Sequence, residues 1–88
     1  MERPHIKPHD QIRVGKNSSV RAIVSCASAT SAAAVWYDRP NRVVEDEIQW
    51  VEDHWEFKDG GGAYARDNPR LTAFVSDLNN WTFGISPR

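Results

Sequence analysis

Hydrophobic and polar residues alternate over several short stretches between residues 10 and 58, which is the pattern of half-buried β-strands. In DQIRVG, the apolar side chains of Ile12 and Val14 fall on one face. In VRAIVSCA, one face carries four residues: Val20, Ala22, Val24 and Cys26. The intervening GKNSS favours a turn, because glycine and asparagine tolerate positive φ and serine bonds its own backbone. The pattern therefore predicts an antiparallel pair of strands.

Two more strands and a tight turn are predicted between residues 28 and 51. Residues 28–34, SATSAAA, fit a helical turn because alanine favours helices, but their serines and threonine favour a small-residue loop that enters a strand. Both interpretations stay open. DRPNR predicts a tight turn in which Pro40 fixes φ. RVVEDEIQWV then predicts a strand with an irregularity at its three consecutive acids.

A β-hairpin with its turn at residues 52–53 accounts for the aromatic residues of IQWVEDHWEF. This register places four apolar residues on one face: Ile48, Trp50, Trp55 and Phe57. The opposite face carries polar residues: Glu47, Gln49, Glu56 and Lys58. A slip of one residue would mix the two sets, so the register is well specified. We predict that the aromatic face belongs to the core.

The helical period is clearest in residues 67–80, DNPRLTAFVSDLNN. One apolar stripe contains four residues: Leu71, Phe74, Val75 and Leu78. Pro69 suits the first helical position, and the asparagines at 79–80 are expected to end the helix. In the tail, residues 81–88, three apolar residues alternate: Trp81, Phe83 and Ile85. The tail is expected either to add an edge strand or to pack loosely.

Composition narrows the classes of protein to which the chain can belong. Its 88 residues are enough for a single domain, 1–88, with residues 1–9 as an extended, proline-containing arm. No stretch is long and apolar enough for a membrane span, and the N-terminus lacks the apolar centre of a signal peptide. The single Cys26 excludes an internal disulfide and favours a cytoplasmic location. With one cysteine and three scattered histidines, neither a metal nor a cofactor is predicted.

The net charge of −1 hides an uneven distribution along the chain. Residues 1–21 contain five lysines and arginines against two acids, whereas residues 38–59 contain eight acids against three basic residues. An ordinary solvated surface carries both signs in this way. The alternative is a dipolar molecule that meets a basic partner with its acidic side.

About five short strands followed by one helix predict a mainly β fold, either a small SH3-like barrel or a strongly bent antiparallel sheet. The succession HDQIRVGKNSSVRAIV, AAVWYDRPNRVVEDEIQW and HWEF resembles the strand order of SH3-like barrels, with DRPN as the distal turn. With GGGAYARDNPRL, it also resembles small bacterial single-domain proteins of this architecture. The resemblance covers residues 9–78 and implies a fold without implying a function. Residues 21–22 replace a glycine of related nucleic-acid-binding barrels, which disfavours RNA binding.

We expect a non-catalytic binding module whose partner is a protein or peptide. Small barrels bind partners through aromatic-lined grooves between loops, where aromatic residues beside arginine contribute most of the binding energy. Five residues outside the predicted core meet this description: Tyr37, Arg39, Arg42, Tyr64 and Trp81. They are predicted to form the binding patch. The oligomeric state is left open.

Three alternatives use other residues. A nucleic-acid site needs a basic patch, and five residues could form one, with no aromatic among them: Arg3, Lys7, Arg13, Lys16 and Arg21. A ribonuclease, as among some SH3-like toxins, would use His54 and Glu56 for proton transfer and Lys58 for charge stabilisation. The acidic segment could instead mimic nucleic acid in a phage or plasmid inhibitor. Because polar residues are the default on an exposed strand face, no enzyme is predicted.

Overall fold

The computed structural model describes residues 3–58 and 62–82. It contains six strands: β1 (Gln11–Val14), β2 (Val20–Ala27), β3 (Ala32–Arg39), β4 (Arg42–Val51), β5 (His54–Phe57) and β6 (Ala63–Tyr64). Two 3₁₀ turns, Ala65–Asp67 and Pro69–Leu71, lead into one helix, α1 (Thr72–Thr82).

Strands β1 to β5 close into a barrel. Each strand pairs antiparallel with the next, and β5 returns beside β1 in parallel, with Val14 opposite Trp55. The Gly15 amide donates a hydrogen bond of 2.7 Å to the Trp55 carbonyl at this seam. The predicted mainly β fold with one C-terminal helix is confirmed. The sheet is a closed barrel rather than an open bent sheet, and it is compatible with the SH3-like architecture.

The predicted hairpin register is confirmed residue by residue. Trp50 lies opposite Trp55, and Ile48 lies opposite Phe57, with the turn at residues 52–53. Ile48 and Trp55 are buried in the barrel interior, while Trp50 and Phe57 are partly buried against it. Trp50 meets Trp55 edge to face, with ring centroids 5.2 Å apart.

Strand β2 is buried on both faces, so the prediction of a single apolar face was incomplete. Ala22 and Val24 point into the barrel, whereas Ile23 is fully buried on the outer face. The register shifts between Val24 and Cys26, which leaves Cys26 exposed and Ser25 buried. The strand thus separates two apolar clusters.

The second cluster lies between α1 and the outer faces of β2 and β3. It contains five buried residues: Ile23, Val35, Ala65, Leu71 and Leu78. Phe74 and Val75 pack against it, so the predicted apolar stripe is confirmed. The helix itself differs from the predicted 67–80, because two 3₁₀ turns precede it and it continues past the asparagines to Thr82. Trp81 packs against the cluster, and burying its ring favours the additional turn.

Two local predictions concern the chain between β2 and β4. Residues 28–31 form a loop in which the Ser28 amide donates to the Ser31 carbonyl, and β3 begins at Ala32. The irregularity predicted at the three acids of β4 was wrong. These acids pair regularly with β3, and the register shift lies instead between Tyr37 and Arg39.

Strand β6 was not predicted, because two residues carry no periodicity. Val44 pairs with Tyr64, and Glu45 pairs with Ala63. Strand β5 pairs with residues 48–51 of β4, and β6 pairs with residues 44–45 of the same strand. Both run antiparallel to β4.

The described part of the N-terminal arm is fixed to the barrel. The Arg3 guanidinium lies 5.7 Å from the centroid of the Trp55 ring. His9 contacts Asp77 of α1 at 2.6 Å and stacks on Phe74 with ring centroids 4.4 Å apart. At the other end, Trp81 belongs to α1 rather than to a separate tail, and the predictions for residues 83–88 lie outside the described residues.

Candidate binding site beside the Arg42–Tyr64 pair

Arg42 is held in place at the turn between β3 and β4. The register shift leaves Asp38 without a partner in the ladder, and its carboxylate turns to Arg42. The Arg42 Nε donates to both carboxylate oxygens, at 2.9 and 3.0 Å. These hydrogen bonds hold the pKa of Asp38 below its usual value of 3.8. A guanidinium bound in this fork is oriented before any partner arrives.

Tyr64 lies between two arginines. Its hydroxyl accepts a hydrogen bond of 3.0 Å from Arg42, whose guanidinium lies 5.1 Å from the ring centroid. Arg66 stacks on the same ring at 5.8 Å. With 39% of its surface accessible, Tyr64 is the exposed large hydrophobic residue of the described ranges. An aromatic ring is therefore presented to solvent with its orientation fixed by neighbouring cations.

Two recesses meet at this pair. The first, which we name the outer groove, has a volume of about 350 Å³ and seven lining residues: Asn41, Arg42, Val43, Tyr64, Ala65, Arg66 and Val75. The second, which we name the mouth cavity, has a volume of about 410 Å³ and is also lined by seven residues: Trp36, Asp38, Arg42, Val44, Asp46, Gly62 and Tyr64. Both volumes fall within the range of small ligand pockets. Arg42 and Tyr64 border both recesses.

The inner wall of the mouth cavity contains a buried carboxylate. Asp46 is 6% exposed and accepts a hydrogen bond of 2.8 Å from the Trp36 indole N–H. Trp36 stacks on Phe57 with ring centroids 4.3 Å apart. Gly62 passes so close that an added Cβ would lie 2.1 Å from the Glu45 carbonyl oxygen. Only glycine permits this approach of the backbone to β4.

The five residues predicted to form one patch lie in different surroundings. Arg42 and Tyr64 are together, and Arg39 is exposed at the neighbouring turn. Tyr37 is partly buried against α1, where its hydroxyl donates to the Asn79 side-chain oxygen. Alternation along β3 places Tyr37 on the helix-facing side with Val35, opposite to Trp36. Tyr37 therefore packs against the second cluster, on the side of β3 that faces α1.

Trp81 belongs to a separate cluster. The Arg13 and Arg21 guanidinium groups lie 5.8 and 5.4 Å from its ring centroid, and Arg21 donates to its carbonyl oxygen at 3.0 Å. The two arginines are directly opposite in the pairing of β1 with β2. The fold thus brings to this basic surface the aromatic residue that the sequence pattern lacked.

On the outer face of the hairpin, His54 lies between two carboxylates. Its Nδ1 is 3.0 Å from Asp53 and its Nε2 is 2.6 Å from Glu56, while Lys58 is 3.5 Å from Glu47. The hydrogen bonds to Asp53 and Glu56 raise the pKa of His54 above its ordinary value of 6.5. Both ring nitrogens and the nearby ammonium are thus already engaged by acids.

This arrangement predicts a specific dependence of stability on pH. Because the pKa of folded His54 is raised, its contribution to stability is complete below about pH 6.5 and is lost as the pH rises through the folded value. We expect the melting temperature of the parent to exceed that of His54→Gln most near pH 5.5, and the difference to shrink towards about pH 8.5. His5→Gln, which changes an exposed histidine of the arm, is the control. A difference that is constant across this range would contradict the prediction.

Among residues 3–58 and 62–82, no three histidine, cysteine, aspartate or glutamate side chains converge so as to hold a metal ion. These ranges also contain no helix long and apolar enough to cross a membrane. Comparisons with protein-family models, curated proteins and solved structures found no match.

Sequence reasoning missed three members of the site, two of which left a signal in the sequence. Asp46 alternates in register with Val44 and Ile48, which indicates an inward side chain in the middle of an acidic run. Gly62 belongs to a glycine triplet, a sign of close backbone approach. Arg66 carried no signal of its own, because its position depends on the 3₁₀ turn that follows β6.

Proposed function

We propose that the protein is a binding module that holds a peptide segment of another protein in the outer groove and the mouth cavity. The observation that carries this proposal is the exposed Tyr64 ring, fixed between Arg42 and Arg66 where the two recesses meet. Tyrosine and arginine are the residue types enriched at the energetic centres of interfaces. Because Arg42 is already oriented by Asp38, binding costs little side-chain entropy there.

The division of the site into two recesses supports a peptide rather than a small metabolite. The outer groove has an apolar floor formed by Val43, Ala65 and Val75. The mouth cavity instead carries two carboxylates and the Trp36 ring. A peptide can place side chains of different character on the two sides of Tyr64, and this requires no change in the barrel.

The engagement of His54 by acids supports a non-catalytic role. A general base must reach the proton that it removes, and both nitrogens of this ring already contact carboxylates. The surrounding acids would also repel a phosphate backbone. The outer face of the hairpin therefore offers less to an RNA substrate than the ribonuclease hypothesis requires.

The test is a selection of peptides from a random display library, followed by affinity measurements on variants. Tyr64→Ala is expected to weaken a selected peptide by about 2 kcal/mol, roughly 30-fold in Kd. Because the ring is exposed, its removal should change stability by no more than about 0.5 kcal/mol. Arg66→Ala should weaken binding as well. Arg13→Ala is the matched control, since Arg13 also stacks on an aromatic ring, but on Trp81.

The proposal fails if no peptide is selected, or if Tyr64→Ala binds the selected peptide as tightly as the parent does. Circular dichroism and melting of each variant separate a lost contact from a lost fold.

A nucleic-acid site at Arg13, Arg21 and Trp81 is the second candidate. Like charges opposite each other on paired strands are unfavourable, and here the Trp81 ring and carbonyl oxygen offset that cost. Two oriented guanidinium groups suit phosphates, and such binding weakens steeply with salt. In this case Arg13→Ala weakens capture of a labelled single-stranded oligonucleotide and Tyr64→Ala does not. The two sets of variants thus serve as controls for each other.

A further inference from the structure

Asp46 is the buried acid of the described ranges, and it has no cationic partner there. The ion pairs in residues 3–58 and 62–82 engage six other acids: Asp38, Glu45, Glu47, Asp53, Glu56 and Asp77. Glu45, its neighbour in β4, is also largely buried, but it is paired with Arg70 at 2.7 Å. Within the described ranges, Asp46 accepts a hydrogen bond from the Trp36 indole alone. A buried carboxylate is costly unless a cation or several hydrogen bonds compensate it.

The cation that lines the mouth cavity, Arg42, already binds other residues. Arg42 lines the cavity, but its Nε and one terminal nitrogen contact Asp38, and its other terminal nitrogen contacts Tyr64. Among the described residues that line it, two carboxylates and one guanidinium leave an excess of one negative charge. The cavity is therefore complementary to one added positive charge.

The aromatic walls favour the same kind of guest. Trp36 and Tyr64 both line the cavity, and a cation near the face of either ring is attracted by the negative charge of the π system. This attraction increases when the cation is removed from water, as it would be beside Asp46. The charge of the lining, its aromatic rings and its volume of about 410 Å³ all suit a cationic side chain.

We propose that the mouth cavity receives a lysine or arginine side chain of the bound peptide, with Asp46 as its counter-ion. This inference rests on the proposed peptide-binding function, and it adds that the bound peptide must carry a basic residue. The outer groove, bordered by Arg42 and Arg66, receives an apolar residue of the same peptide. The opposite character of the two recesses fixes the direction in which the peptide lies across Tyr64.

The Trp36 indole N–H reports on this site, because it donates directly to Asp46. In ¹H–¹⁵N spectra, Nα-acetyl-lysine amide and Nα-acetyl-arginine amide should each shift the Trp36 indole resonance. The shift should reach a plateau as the probe concentration is raised. The matched neutral probe, N-acetyl-norleucine amide, has a similar chain without the charge and should cause no saturable shift.

Asp46→Asn should weaken the lysine probe about tenfold or more, because a desolvated charge partner is lost. The asparagine oxygen can still accept the Trp36 hydrogen bond, and an uncompensated buried charge is removed. The variant should therefore melt at the temperature of the parent or above it, whereas a purely structural role for the carboxylate predicts a lower melting temperature. Glu47→Gln removes an adjacent, exposed acid and is the control that should leave probe binding unchanged.

If norleucine amide shifts the Trp36 indole resonance of the parent protein as much as the lysine probe does, and the shift saturates, the inference is overturned. No variant is needed for this test. Unchanged affinity of Asp46→Asn for the lysine probe also overturns it. If selected peptides lack a basic residue and lose affinity in Tyr64→Ala but not in Asp46→Asn, the proposed function stands and this site is wrong. If the lysine probe binds through Asp46 but no peptide is selected, the cation site stands and the peptide function fails.

Discussion

Replacing Trp55 with alanine is expected to lower the free energy of unfolding by about 3–5 kcal/mol, a large part of the total stability of so small a domain. Trp55 is 5% exposed and fills the barrel interior. It also stands at the seam, where it faces Val14 in the parallel pairing that closes the barrel. Its removal therefore leaves a cavity beside the junction of the barrel that has the fewest paired residues. Urea denaturation monitored by circular dichroism measures the loss.

Trp50→Ala provides the matched comparison, because Trp50 lies directly opposite Trp55 on the same hairpin. Trp50 is only partly buried, and its indole N–H is buried without a hydrogen-bond partner in the described part of the chain. Its removal should cost less, because the loss of apolar contact is offset by the loss of an unsatisfied donor. If Trp55→Ala melts within a few degrees of the parent, the assignment of this residue to the core is wrong.

Gly62→Ala is expected to cost about 1–3 kcal/mol and to abolish peptide binding. The new Cβ would lie 2.1 Å from the Glu45 carbonyl oxygen and 2.4 Å from Oδ1 of Asp46. Since β4 is held by β3 on one side and by β5 on the other, β6 must move instead. The movement displaces Tyr64 from Arg42 and opens the wall between the two recesses.

Gly15→Ala distinguishes this steric effect from a general cost of losing glycine. Gly15 has a φ of +102°, but an added Cβ there meets only Ser19, at 4.0 Å. Its replacement should therefore reduce stability through backbone strain and leave the affinity for a selected peptide intact. Equal peptide affinity in Gly62→Ala and the parent would show that the close approach of β6 is unimportant for the site.

The hairpin and the helix stripe could be predicted because their signals are local. Alternation of Trp50, Trp55 and their neighbours fixes a register within ten or so residues, and the helical period fixes a face within a few turns. The predicted end of α1 was wrong because contacts distant in sequence determine it. Asparagine favours helix ends in isolation, but here Asn79 accepts from the Tyr37 hydroxyl and Trp81 packs against the second cluster. Tertiary contacts overrode local preference.

The candidate site was predicted only in part, because its residues come from segments whose relative positions the sequence does not determine. Arg42 and Tyr64 were expected together and are together. Tyr37 lies on the other face of β3, and which face α1 covers cannot be deduced from alternation alone. Asp46 was grouped with Glu45 and Glu47 as one acidic run, although the three side chains have different surroundings. Glu45 binds Ser25 and Arg70, and Glu47 faces solvent with Lys58.

The burial of β2 and β3 on both faces has a consequence for the dynamics of the site. Their amides are shielded by the barrel interior on one side and by α1 on the other, so we expect their hydrogen exchange to require opening of the whole domain. The two-residue β6 lacks such cover, and both of its residues are exposed. We therefore expect the amides of Ala63 and Tyr64 to exchange with solvent faster than those of β2 and β3.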